Sequence, residues 1–67
     1  MNGESFLTCV GVDIGMPKWV FIQDSETATV ISPDEAERLK ESGIYYIAYF
    51  LLSREETDLA NRAFSEE

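Results

Sequence analysis

Ile44-Tyr45-Tyr46-Ile47-Ala48-Tyr49-Phe50-Leu51-Leu52 admits two conformations, and each leads to a different fold. Aromatic and β-branched side chains favour the pleated, half-buried backbone of a sheet. The segment therefore reads as a strand, and its lack of any polar position places it centrally, covered on both faces. A helix continuing from Gly43 is the competing reading.

The flanks are easier to read. Upstream, Ser32-Pro33-Asp34-Glu35 combines serine at an N-cap, proline at the first helical position and glutamate at the third, a capping box with a pre-set first turn. Gly43 closes this helix after Lys40, which predicts a helix from Pro33 to Ser42. Downstream, Ser53-Arg54-Glu55-Glu56 repeats the pattern and opens a second helix to about Phe64, with Leu59, Ala60, Ala63 and Phe64 as its apolar stripe. At the amino-terminal side, Ser5 to Val12 alternates like a strand. Lys18 to Gln23 is apolar on both faces from Trp19 through Ile22, and Ala28 to Ile31 is a short third strand. Asp13-Ile14-Gly15-Met16-Pro17 and Asp24-Ser25-Glu26-Thr27 supply the turns of an antiparallel meander. The expected fold is α+β, one domain over residues 1–67. Its three- to four-stranded, mainly antiparallel sheet carries two helices in the order β-β-β-α-β-α, arranged as a single layer pair.

Composition narrows the chemistry. With 67 residues the chain builds one thin core, and 45% hydrophobic residues is too many for disorder. A single cysteine makes no intrachain disulfide, and the lack of histidine removes the commonest general base and metal ligand. Met1 to Ser5 carries no basic region of a secretory signal, and the longest apolar run falls short of a bilayer span. The expectation is a cytoplasmic protein with no membrane association.

Individual residues favour structural roles over catalytic ones. Cys9 lies mid-strand among apolar neighbours, with no nearby cation to stabilise a thiolate. Val10 to Gly15 resembles the phosphate-binding hairpin of actin-like and sugar-kinase ATPases. That likeness covers six residues, and Met16 and Pro17 depart from the small or polar residues of the family. Asp13 and Gly15 therefore read as turn residues. Tyr45, Tyr46, Tyr49 and Phe50 lack the interleaved basic residues that base-stacking surfaces carry. No catalytic residue, metal ligand or cofactor is expected.

What remains is charge. Thirteen acidic residues against five basic ones give −8, which repels nucleic acid and anionic membranes and attracts a basic surface. On the first helix Asp34, Glu37, Arg38 and Glu41 turn outward. Asp34 pairs with Arg38 at i,i+4, while Glu37 and Glu41 repel one another. On the second helix Asp58 lies between Arg54 and Arg62 and is largely neutralised. The under-neutralised patch is thus Asp34, Glu37 and Glu41, extended by Glu55, Glu56, Asp24 and Glu26.

In size, charge and architecture the whole chain resembles phage-encoded inhibitors of host defence, including anti-CRISPR proteins and other DNA mimics. No motif carries the likeness. It implies a non-enzymatic inhibitor in the host-cell cytoplasm, a monomer or weak homodimer. Its carboxylates would stand in for phosphates on a basic nucleic-acid-binding protein complex, with no direct contact to nucleic acid. The alternative is a small interaction module, antitoxin-like or homodimeric, that uses Trp19 and the tyrosines.

Overall fold

Two short connections, residues 11–17 and 23–27, make the amino-terminal half a meander. The computed structural model describes residues 5–24 and 26–66. Met1 to Glu4, Ser25 and Glu67 lie outside the described residues, and with them the reading of the amino end. Strands β1 (Phe6–Val10), β2 (Lys18–Ile22) and β3 (Ala28–Ile31) pair antiparallel in succession. Helix α1 (Pro33–Glu41), strand β4 (Tyr45–Tyr46), a 3₁₀ helix (Tyr49–Leu51) and helix α2 (Arg54–Glu66) follow. The sheet order is β3-β2-β1-β4, so β2, read as apolar on both faces, is central beside β1, whereas the 44–52 segment is at the edge. This is a small α+β domain with a mixed, mainly antiparallel sheet.

Both helices start where their serines predict. At α1 the Ser32 hydroxyl accepts the Glu35 N–H at 3.2 Å. At α2 the box closes from both sides, with Glu56 N–H donating to Ser53 Oγ at 3.2 Å and Ser53 N–H to Glu56 Oε1 at 2.8 Å. Helix α1 ends in a Schellman turn: Ile44 N–H reaches Leu39 O at 3.0 Å and Gly43 N–H reaches Lys40 O at 3.1 Å, with Gly43 at φ +107°.

Strand alternation assigns the two faces. Phe6, Val10, Val20 and Ile22 share one face and form the core with Leu59, Ala60 and Ala63 of α2. Lys18, on the same face, holds its Nζ 4.8 Å above the Phe64 ring. Leu7, Trp19 and Phe21 point the other way, where α1 packs. There Ala36 is fully buried, and Lys40 Nζ lies 4.9 Å above the Trp19 ring, which meets Tyr46 edge-on at 5.6 Å. The helices therefore sit on opposite faces, giving three layers where a single layer pair was expected. Burying Leu7, Val20 and Ile22 contributes about 1.5–3 kcal/mol each, enough to demand cover on both sides.

The segment 44–52 departs from its sequence reading. Only Tyr45 and Tyr46 form a strand, at the sheet's edge and parallel to β1, and Ile47 N–H donates to Leu7 O at 2.8 Å. The chain then bends at Ala48 into the 3₁₀ helix, because α2 must return across the opposite face. Ile47, Tyr49 and Leu52 turn to the core, with Tyr49 Oη donating to Asn61 Oδ1 at 2.9 Å, while Phe50 and Leu51 face outward.

Two features of β1 and its turn give testable energetics. Thr8 is fully buried and its hydroxyl meets no partner among the described residues, so Thr8→Val should raise the unfolding free energy by about 1 kcal/mol in urea denaturation. An unchanged or lowered midpoint would show that the hydroxyl is satisfied. Gly11 and Gly15 both hold positive φ, at +78° and +75°, but only at Gly11 would a Cβ run into the Met16 carbonyl and the Phe64 ring. Gly15→Ala should cost about 1–2 kcal/mol, the left-handed strain alone. Gly11→Ala should cost about 3 kcal/mol or more. Equal losses in the same denaturation series would contradict this packing of α2 on the turn.

Candidate partner-binding surface

The acidic residues separate into two sets once the helices are placed. Asp34, Glu37 and Glu41 are exposed along the outer side of α1, on the Trp19 face of the sheet. Glu26, from the β2–β3 turn, and Glu55, from the first turn of α2, meet on the other side, where they line one groove with Asp58, Leu59 and Arg62. The structure thus divides the single extended patch of the sequence reading, with the sheet between the halves.

Two of the predicted residues are occupied by local structure. Glu56 is half-buried and its carboxylate accepts the Ser53 N–H, so it belongs to the helix cap. Asp24 Oδ1 accepts the Glu26 N–H at 2.8 Å, tying down the β2–β3 turn. That bond, with further hydrogen bonding from Thr27, holds the Asp24 carboxyl below its ordinary value.

The predicted pairs do not close into contact ion pairs among the described residues. Among the described residues no ion pair joins Asp34 to Arg38, or Asp58 to Arg54 or Arg62. Surface ion pairs contribute little against the entropy of holding two long side chains. Two of the five basic residues sit over aromatic rings, Lys18 on Phe64 and Lys40 on Trp19, a cation–π contact. The carboxylates of α1 consequently face solvent without a bound counter-charge.

A surface that sequence reasoning missed is apolar. Phe50 is 82% exposed and Leu51 67%, although both were assigned to a covered central strand. Val12, Ile14 and Met16 are exposed in the β1–β2 turn. Since β4 runs parallel to β1, the 3₁₀ helix after it heads toward the same end of the sheet as this turn. The only signal in the sequence was the excess of apolar residues over what a thin core can cover.

The rest of the surface offers little to chemistry. Burial raises the Cys9 thiol above its ordinary value, the hydrogen bond with the Lys18 backbone opposing in part, so the thiolate is disfavoured. Among the described residues no three acidic or cysteine side chains converge as metal ligands, and no helix is long and apolar enough to cross a membrane. No family model matches the chain, nor does any curated protein or solved structure.

The turn carries a pH prediction. A lowered folded-state value means that Asp24 stabilises the fold fully above the ordinary 3.8, and that this contribution fades as pH falls through the lower folded value. A carbon-detected NMR titration should place the Asp24 midpoint below 3.8, and Asp24→Asn should remove that part of the acid dependence of stability. A midpoint at or above 3.8 would mean that the Glu26 N–H bond is not held in solution.

Proposed function

We propose that this chain is a non-enzymatic inhibitor of the host cytoplasm that covers a basic nucleic-acid-binding surface of a nuclease or CRISPR surveillance complex. Asp34, Glu37 and Glu41 stand in for phosphates there. The observation that carries this reading is the outer side of α1, where these three carboxylates are exposed and none is ion-paired among the described residues. Like charges at i,i+4 cost the free helix a few tenths of a kcal/mol. An arginine or lysine bridging Glu37 and Glu41 relieves that repulsion only in a complex. A net charge of −8 adds long-range attraction, which speeds encounter with a basic surface without requiring a pocket.

A second reading rests on a different observation. Phe50, Leu51, Val12, Ile14 and Met16 expose large apolar side chains, the chemistry of an interaction module that binds through burial rather than charge. The two surfaces respond differently to salt, since exposed charges more than about 8 Å apart are screened at physiological ionic strength while apolar contacts are not.

Competition against nucleic acid on a panel of such nucleases and surveillance complexes distinguishes them. The parent should displace nucleic acid at low salt and lose potency as salt rises. The Glu37→Lys/Glu41→Lys variant should be weaker by about a factor of ten or more. Undiminished inhibition by that variant would remove the phosphate-mimic reading. Loss on Phe50→Ser/Leu51→Ser, insensitive to salt, would put the apolar end in its place.

A further inference from the structure

Among the described residues strand β3 is an edge of the sheet with no strand beyond it, and its register shows which main-chain groups point outward. Gln23 N–H donates to Thr27 O at 2.9 Å, which makes Gln23 and Thr27 a hydrogen-bonded pair at the base of the hairpin. Such pairs alternate along an antiparallel ladder. Thr29 opposite Phe21 and Ile31 opposite Trp19 are then hydrogen-bonded too, and Ala28 and Val30 are not. The N–H and C=O of Ala28 and Val30 therefore point away from β2, off the edge of the sheet. Apart from its shortness, four residues, Ala28-Thr29-Val30-Ile31 carries none of the devices that blunt an edge from within, neither a lysine nor a proline nor a bulge.

A groove runs beside this edge, between β3 and α2. Its floor is small and apolar: Ala28, Val30 and Ala63, with Leu59 toward one end. Its walls are acidic at both ends. Glu26, Glu55 and Asp58 gather near the β2–β3 turn, and Glu66 stands beside Val30, with Arg62 the one cation among the lining residues. Side chains of an added strand alternate between the two faces, so every second one would enter this groove.

We propose that the open edge of β3 and the acid-walled groove beside it receive an extended, basic segment of a partner protein as an additional strand. Main-chain bonds to Ala28 and Val30 supply affinity. Alternate lysine or arginine side chains, their stems over Ala28 and Ala63 and their charges at Glu26 and Glu66, supply selectivity. Charge complementarity argues for this occupant over a second copy of the chain, because pairing β3 with itself would bring the two acidic rims together. The surface lies on the far side of the sheet from Glu37 and Glu41, and the inference stands or falls separately from their role.

The test uses a synthetic peptide of alternating lysine and valine, with two N-methylated forms that block its hydrogen bonding along one edge or the other. Binding is followed by amide hydrogen exchange and NMR titration of the full chain. The unmodified peptide should protect the Ala28 and Val30 amides. One methylated form should bind about as well, and the other should lose about tenfold or more in affinity at the same charge. Glu26→Lys/Glu66→Lys should weaken the unmodified peptide by a similar factor, whereas Glu37→Lys/Glu41→Lys should leave the protection pattern unchanged. Equal binding of both methylated forms would reduce the effect to charge and overturn the proposal. So would an absence of protection at Ala28 and Val30, or protection that rises with protein concentration alone, the mark of self-pairing.

Discussion

Two neighbouring strands that are apolar on both faces, β1 and β2, impose the condition that the rest of this structure meets. Their side chains alternate, so Val20 and Ile22 need cover on one side while Leu7, Trp19 and Phe21 need it on the other. No arrangement with both helices on one face satisfies that. Helix α2 seals one side with Leu59, Ala60 and Ala63, and α1 seals the other with the buried Ala36, aided by Lys40 over Trp19. The crossing from one face to the other passes through residues 44–52, which explains why this segment pairs for two residues and then bends.

A chain of this size has little cover to spare. The longer helix makes the fuller core with Leu59, Ala60 and Ala63 buried, while α1 buries only Ala36. The shortage appears as surface. Phe50 and Leu51 extend beyond β4, the β1–β2 turn exposes Val12, Ile14 and Met16, and among the described residues β3 is left as an edge without a further strand. The apolar end and the open strand are therefore consequences of closing a sheet on both faces with two helices. They are also the places where this chain has contacts to offer a partner.

Charge is organised by the same layering. Carboxylates that looked like one patch along the sequence lie on the two sides of a sheet. On one side they form the outer row of α1. On the other they wall a groove whose floor is main chain and small side chains. The lysines Lys18 and Lys40 lie over the rings of Phe64 and Trp19. A cation held over a ring leaves the nearby carboxylates without a fixed counter-ion, so the acidity of each surface stays available.

Local information alone was enough for the elements whose causes are local. The helix starts at Ser32 and Ser53 and the stop at Gly43 follow from hydrogen bonds and backbone angles within a few residues, and each is found where the sequence placed it. The first strand, by contrast, was read to Val12 but ends at Val10 and leaves Gly11 and Val12 to the turn. The apolar stripe of α2 was equally readable, since the helical period is a local property. Tertiary structure decided the conformation of 44–52, where a run apolar at every position carries no period to separate strand from bend. Only two of its residues could reach β1 before the chain had to cross to the opposite face. It also decided that Glu26 meets Glu55 while Glu37 and Glu41 stand apart, because the meeting depends on which side of the sheet each helix takes. That choice is made by long-range burial of the central strands, and no window of sequence around the acids contains it.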